Sequence, residues 1–169
     1  VGLFGYTGEY AILRDIILED VSVTGRDMVG GLVGFVYYHV SGSYVSGEVN
    51  GDNYVGGLVG YNYKSGRITN SYAVAGVNGN NYAGGLVGYN EWIVTDSYAA
   101  GNVKGNKYVG GLAGCSEELV SYCYATGAVT GSEDVGGLVG LNEGIVYTSY
   151  YDSDTTGQWD TGKGEPRAT

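Results

Sequence analysis

The fold is decided by the stretch Val55-Gly56-Gly57-Leu58-Val59-Gly60, whose core, Gly-Gly-Leu-(Val/Ala)-Gly, occurs five times in the 169 residues. The motif residues are Gly30, Gly31, Leu32 and Gly34; Gly56, Gly57, Leu58 and Gly60; Gly84, Gly85, Leu86 and Gly88; Gly110, Gly111, Leu112 and Gly114; and Gly136, Gly137, Leu138 and Gly140. A partial copy, Gly2-Leu3-Phe4-Gly5, precedes them. The five motif leucines are 26, 28, 26 and 26 residues apart. Such a fixed period is the signature of a repeat architecture.

Two further anchors keep the same period. A tyrosine follows each glycine motif, and a Val-x-Gly unit follows each of the first four tyrosines. The tyrosines are Tyr44, Tyr72, Tyr98, Tyr124 and Tyr150. The longer interval arises between Gly60 and Tyr72, which are two residues further apart than Gly34 and Tyr44. We attribute the difference to a small loop insertion at Lys64-Ser65-Gly66.

Each unit contains three short apolar or alternating segments, for example residues 54–61, 68–73 and 75–77, with polar corners between them. Such segments are typical of β-strands, and no window keeps helical spacing long enough for a surface helix. The sequence therefore predicts an all-β, parallel β-helix solenoid of five to six coils, with about 26 residues and three short strands per coil. We expect one solenoid domain at residues 1–157 and a C-terminal cap or tail at residues 158–169.

The repeated glycines need a physical reason, because glycine costs about 0.5–1 kcal/mol relative to alanine in an extended segment. Two reasons fit the sequence. The glycines supply a tight bend with positive φ, or they let another wall of the coil approach closely. In both cases we expect the motif leucine to fill the interior of the coil.

The motif closely resembles the GLUG-motif repeat family, named for Gly-Leu-hydrophobic-Gly. Copies such as Val55-Gly56-Gly57-Leu58-Val59-Gly60-Tyr61-Asn62 carry the resemblance, which covers about residues 1–157. The stretch Ser149-Tyr150-Tyr151-Asp152 resembles the Ser-Tyr-Trp-Asp that ends such arrays, with Tyr151 in place of Trp. The resemblance implies a right-handed β-helix in secreted or cell-surface proteins of bacteria and archaea, often beside adhesin or extracellular-enzyme domains. It implies no catalytic residue within the repeat.

The composition limits the partners. With 18 acidic and 8 basic side chains the net charge is −10, which repels nucleic acid and anionic lipid. No run of 18 apolar residues is present, so we do not expect this segment to span a membrane. The chain opens inside a repeat, which suggests a processed product or an excised part of a longer chain.

The single histidine is a weak catalytic candidate. His39 is aligned in later coils with Arg67, Ile93, Leu119 and Ile145, so we interpret it as a variable position. The sequence predicts no catalytic residue and no cofactor.

Acidic residues near the C-terminal end could offer oxygen atoms to a cation. Asp152 and Asp154, with Asp160, are weak candidates for Ca²⁺ ligands, because Ca²⁺ prefers oxygen. Other acidic side chains fall mostly in corners, where solvated charge is the ordinary interpretation. At most a structural Ca²⁺ is expected.

Tyr54, Tyr82 and Tyr108 share one register of the repeat. If they face outward, they form an aromatic ladder able to stack on sugar rings or to contact a protein, and a buried stack is the alternative.

Cys115 and Cys123 are eight residues apart, too far for a CxxC motif. A disulfide and two buried thiols both remain open.

The functional hypothesis is a non-enzymatic extracellular or cell-surface module with a structural or adhesive role, such as a stalk or the subunit of a self-assembling filament. Its expected partners are copies of itself or flanking domains, end to end, and surface glycans. One alternative is a glycan-binding module that uses the Tyr54, Tyr82 and Tyr108 ladder. Another is a β-helix polysaccharide lyase or hydrolase, which would need acid and base groups on one face.

Overall fold

The structure, a computed structural model, describes residues 1–168 as short strands that wind into a column. The first strands are β1 (Phe4–Tyr6), β2 (Ile12–Arg14), β3 (Ile17–Thr24) and β4 (Asp27–Gly30). They are followed by β5 (Val33–Val36), β6 (His39–Ser41), β7 (Tyr44–Asn50) and β8 (Asn53–Gly56); by β9 (Val59–Asn62), β10 (Arg67–Thr69), β11 (Tyr72–Ala73), β12 (Gly76–Asn78) and β13 (Asn81–Gly84); by β14 (Val87–Asn90), β15 (Ile93–Thr95), β16 (Tyr98–Ala99), β17 (Val103–Lys104) and β18 (Lys107–Gly110); by β19 (Ala113–Ser116), β20 (Leu119–Ser121), β21 (Tyr124–Ala125), β22 (Val129–Thr130) and β23 (Glu133–Gly136); and by β24 (Val139–Asn142), β25 (Ile145–Tyr147) and β26 (Tyr150–Asp152). A short helix, α1 (Ser153–Thr156), and β27 (Glu165–Arg167) follow.

Strands at equivalent positions of successive coils pair in parallel and form four sheets. Their orders are β1-β5-β9-β14-β19-β24, β2-β6-β10-β15-β20-β25, β23-β18-β13-β8-β4 and β22-β17-β12-β7-β11-β16-β21-β26-β27, where β3 also pairs with β7. The pairing sets like residues side by side, since the Leu58 amide donates to the Leu86 carbonyl at 2.9 Å. The predicted parallel β-solenoid of about six coils is therefore confirmed.

Each coil has more strands than the sequence predicted. The predicted segment 54–61 is divided into β8 and β9, and the segment 68–73 is divided into β10 and β11. The number of three strands per coil was wrong because the chain turns within both segments. Asn70, for example, has a φ of 46°, in the left-handed region that a strand does not use. Lys64-Ser65-Gly66 lies between β9 and β10, where the spacing placed the insertion.

The motif glycines allow close approach of backbones. A Cβ atom on Gly57 would lie 2.2 Å from the Gly85 carbonyl oxygen, and one on Gly56 would lie 2.1 Å from the Val59 oxygen. The motif glycines do not have positive φ; that conformation falls two residues before each motif. The residues with positive φ there are Met28, Tyr54, Tyr82, Tyr108 and Asp134. Of the two explanations for the glycines, close approach therefore holds.

Stacked rows of identical or similar side chains form the core. The motif leucines Leu32, Leu58, Leu86, Leu112 and Leu138 are fully buried. Polar rows also run inside the column: Asn62 Nδ2 donates to Asn90 Oδ1 at 2.7 Å, and Asn90 Nδ2 donates to Ser116 Oγ at 3.0 Å. Bonding between equivalent side chains satisfies the amide donors of this row, which would be costly to bury alone.

The two ends of the column differ. At the N-terminal end, Leu3 of the partial motif is 58% exposed, and Ile12 and Ile17 are also exposed. At the other end, β27 pairs with β26, and the Lys163 carbonyl accepts a hydrogen bond from the Val139 amide at 3.1 Å. Residues 158–167 thus cover part of the C-terminal end of the column.

Candidate functional site

Tyr54, Tyr82 and Tyr108 form a stacked ladder at one corner of the column. The Tyr54 and Tyr82 ring centres are 4.9 Å apart with 15° between the planes, and those of Tyr82 and Tyr108 are 4.6 Å apart with 24°. All three side chains are half-buried. Their φ values of 55–57° place the backbone in the left-handed region, which is unusual for a bulky residue.

A second aromatic row interlocks with this ladder. Phe35, Tyr61 and Tyr89 stack at 5.4 and 5.1 Å with nearly parallel planes. Rings of the two rows meet edge to face, as for Tyr54 with Tyr61 at 75°. We call these six residues the aromatic panel: Tyr54, Tyr82, Tyr108, Phe35, Tyr61 and Tyr89.

Acidic side chains accept hydrogen bonds from the tyrosine hydroxyl groups of the second row. Tyr61 Oη donates to Glu91 Oε1 at 2.5 Å, and the Tyr89 hydroxyl donates to Glu117. Burial first, and the bond to glutamate second, raise the pKa of both tyrosines above the ordinary range. These hydroxyl groups therefore remain protonated and serve to fix the rings.

The panel geometry does not favour stacking of sugar rings. Stacked tyrosines present their edges to solvent, whereas a sugar packs on the face of a ring. At the end of the ladder, the Lys107 Nζ lies 4.6 Å from the centre of the Tyr108 ring, and Glu133 Oε1 holds it at 2.6 Å. The panel is better suited to stiffening the corner or contacting a flat protein surface.

A concave groove runs along another face of the column. Its volume is about 600 Å³, and it spans four successive coils, from Glu48 to Thr130. It lies on the sheet formed by β7, β12, β17 and β22. Sequence reasoning missed this groove because it did not establish which residues of 72–78 face outward. The usable signal was one row of the repeat in which Gly76 and Ala128 alternate with the polar residues Glu48 and Asn102.

His39 lies in a separate shallow hollow. Its Nε2 atom is 3.2 Å from Thr69 Oγ1, and Arg67 is the equivalent residue of the next coil. Burial and the Arg67 charge lower the pKa of the imidazole, so it is neutral near pH 7. Tyr38 and Lys64 also line the hollow.

The acidic residues considered for Ca²⁺ have structural bonds instead. Asp152 Oδ1 accepts a hydrogen bond from the Asp154 amide at 2.9 Å and caps the N-terminus of α1, while Asp154 is exposed. Asp160 Oδ1 accepts one from the Gly137 amide at 2.9 Å. Within residues 1–168 no group of three or more His, Cys, Asp or Glu side chains is arranged to hold a metal ion.

The two cysteines are buried thiols, so of the two alternatives the disulfide is not formed. Cys115 pairs with Tyr89 in the row of the aromatic panel. Cys123 occupies a position that serine holds in other coils, and its amide donates to Ser149 Oγ at 3.0 Å. Burial raises the pKa of both thiols to about 12.

Comparison with known proteins identifies the repeat. The model of the GLUG motif family matches three consecutive segments, residues 51–78, 79–104 and 105–130. No curated protein and no solved structure matches the chain. Across residues 1–168, no helix is long and apolar enough to cross a membrane.

Proposed function

We propose that this chain, whose residues 51–130 are repeats of the GLUG family, is a non-enzymatic structural and adhesive module of an extracellular or cell-surface protein. The observation that carries the proposal is the unbroken stacking of equivalent residues from coil to coil. The Leu58 amide bonds to the Leu86 carbonyl, and the Leu86 amide bonds in turn to the Leu112 carbonyl. A column with such continuous ladders suits a stiff spacer that presents side-chain rows at fixed intervals.

The reactive side chains support a non-enzymatic role. Asp152 caps a helix, Asp160 binds the backbone at Gly137, and Glu91 and Glu117 each accept a tyrosine hydroxyl. Each of these carboxylates has a structural partner, and His39 lies on a different sheet from the groove. An acid/base mechanism would need two such groups on one substrate.

Incubation of the purified chain with neutral and anionic polysaccharides tests the absence of catalysis. We expect no new reducing ends and no unsaturated products. Turnover that persists in a variant with an unrelated surface substitution and is lost in His39→Ala would contradict the proposal.

Brief protease treatment of intact source cells tests the location. A surface module is cleaved while an internal marker protein survives, and protection of the module would contradict the proposed location.

End-to-end association of copies of this chain is part of the proposal. The N-terminal end exposes Ile12 on β2 and Ile17 on β3, with Leu3 just before β1, whereas residues 158–167 cover part of the other end. Open edges and exposed apolar side chains favour pairing with another chain. We therefore propose that copies of this chain associate end to end.

Light scattering across a concentration series measures this association. Dimers or longer assemblies that dissociate in the double variant Ile12→Lys, Ile17→Lys are the expected result. A monomer at every concentration would contradict it.

A further inference from the structure

The groove on the sheet of β7, β12, β17 and β22 has the dimensions of a site for an extended polymer. Its out-facing residues repeat once per coil, and Gly76 pairs with Glu48 of the preceding coil. Four coils at about 4.8 Å per spacing give a length of roughly 15 Å along the column. A second hollow, of about 510 Å³, shares Asn78 and Lys104 with the groove and widens it on one side.

The floor of the groove combines small residues with polar side chains. Gly76, Ala100 and Ala128 line it, and the Val74 side chain is 37% exposed at its edge. Gly101 is also required by packing, since a Cβ atom there would lie 1.9 Å from the Ala75 carbonyl oxygen. The Glu48 carboxylate lies over Gly76, because a Cβ atom on Gly76 would be 2.6 Å from Glu48 Oε2. The Ala128 amide donates to Asn102 Oδ1 at 3.0 Å, so the floor offers a mixed polar and apolar surface.

The rims of the groove carry neutral groups that both donate and accept hydrogen bonds. Asn78, Asn102 and Thr130 line it, and a side-chain amide has two donor hydrogens and one acceptor oxygen. Asn78 Nδ2 donates to Asn50 Oδ1 at 3.0 Å, which uses one of these donors. Lys104 and Glu48 add one charge of each sign, so the formal charge of the lining is zero.

A row of tyrosines runs beside the groove on the same sheet. Tyr72 and Tyr98 lie two residues before Val74 and Ala100 and therefore face the same side. Their rings stack at 4.8 Å with only 4° between the planes, and Tyr98 is 41% exposed. The ring edges and hydroxyl groups of this row extend the surface next to the groove.

An extended peptide is a poor match for this site. Peptides that bind sheets in extended form pair with an open strand edge. Here the backbone groups of the floor are already paired between coils, as in the bonds from the Val77 amide to the Asn102 carbonyl and from the Val103 amide to the Ala128 carbonyl. Only side chains remain to bind a ligand, and they offer amide, hydroxyl and methyl groups together with one carboxylate and one ammonium group.

We propose that this groove binds a neutral polysaccharide lying along the column. The carboxylate, amide and hydroxyl side chains of the groove suit the hydroxyl groups of pyranose rings, and the exposed Val74 and Ala100 methyl groups suit their CH faces. The net charge of −10 disfavours anionic polysaccharides at the same surface. The inference gives the proposed adhesive role a ligand class, but binding in the groove does not depend on where the protein is located.

Isothermal titration with soluble neutral polysaccharides, namely a galactomannan, an arabinoxylan and a mixed-linkage β-glucan, tests the proposal. Alginate and the natively unfolded protein casein are the comparison ligands. We expect at least one neutral polysaccharide to bind more tightly than alginate and casein. Ala100→Trp, which places an indole on the floor from an exposed position, is expected to weaken that binding at least tenfold.

The controls separate loss of the site from loss of the fold. Thr155→Trp adds the same side chain at an exposed position of α1 and is expected to leave binding unchanged. Asn78→Ala removes one rim amide and is expected to weaken binding about three- to tenfold. The proposal is overturned by absence of binding to all three neutral polysaccharides, by preference for alginate or casein, or by equal binding of the groove variants and Thr155→Trp. Cleavage of a bound polysaccharide would contradict the non-enzymatic role and leave the groove as the binding site.

Discussion

Substitution of Gly57 by alanine is expected to destabilise the column, although the same change usually stabilises a protein. Alanine lowers the entropy of the unfolded chain, a gain of about 0.4–1 kcal/mol where the native backbone accepts it. At Gly57 the added Cβ atom would lie 2.2 Å from the Gly85 oxygen and 3.0 Å from the Ala73 Cβ. Since C···O contacts lie near ~3.3 Å, the two coils would have to separate by about 1 Å.

That separation would disrupt the bonds from the Leu58 and Val59 amides to the Leu86 oxygen, which are 2.9 and 3.0 Å long. A buried backbone group left unpaired costs about 1–3 kcal/mol. Two such bonds, less the entropic gain, give a net loss of about 3 kcal/mol.

Urea unfolding of Gly57→Ala beside Gly5→Ala measures this effect. Gly5 is a matched control because it is an exposed strand residue and a Cβ atom added to it would have no neighbouring atom within 4 Å. We expect Gly5→Ala to change the free energy of unfolding by less than about 1 kcal/mol. Equal stability of the two variants would refute the reasoning that the motif glycines permit close coil approach.

Three further predictions concern the core and its titrating groups. Leu86→Ala removes a fully buried side chain and is expected to cost about 2–5 kcal/mol in urea unfolding; a loss below about 1 kcal/mol would argue against the leucine row as core. Because burial raises the pKa of Tyr61, Tyr89 and Cys115 in the folded state, the unfolded chain loses these protons first, and stability should fall progressively above about pH 9; a constant urea midpoint from about pH 8 to 11 would contradict this. Cys115 and Cys123 should not react with Ellman's reagent in the native protein at about pH 8 and should both react after unfolding, whereas fast native reaction would show that they are accessible.

The period of the repeat was enough to predict the fold and much of its register. Leucine spacing alone indicated which residues stack, and Leu58 and Leu86 are bonded through their backbones. The two extra residues near Lys64 were located from the distance between two anchors. Such features follow from sequence because a stacked coil repeats its hydrophobic positions whenever it returns to the same sheet.

The surface features were harder to predict, because they depend on where the chain turns. Local propensity does not indicate that Tyr54 has a φ of 56°, since left-handed backbone is rare for bulky residues. Stacking on Tyr82 and contact with Tyr61 accompany this conformation. The sequence also could not indicate that the stacked rings present edges rather than faces, which changes their suitability for sugars.

Prediction of the groove required knowledge of which side of the strand faces outward. The alternation of Tyr72, Val74, Gly76 and Asn78 is visible in the sequence, but the outward side is fixed only by the packing of Ala73, Ala75 and Val77 into the core. The sequence alone did not fix strand register within a coil, and a shift of one residue would reverse the two faces.

Distances between equivalent coil positions test the central claim most directly. Thr24, Lys104 and Thr130 are exposed and lie in one row, in which Asn50 and Asn78 intervene between Thr24 and Lys104. Spin labels at Thr24→Cys with Lys104→Cys, and at Thr24→Cys with Thr130→Cys, would be measured by double electron–electron resonance in a background with Cys115→Ala and Cys123→Ser. Stacked coils predict backbone separations of about 14 and 19 Å, a difference of one coil spacing. Equal separations, or a shorter distance to Thr130 than to Lys104, would contradict the solenoid.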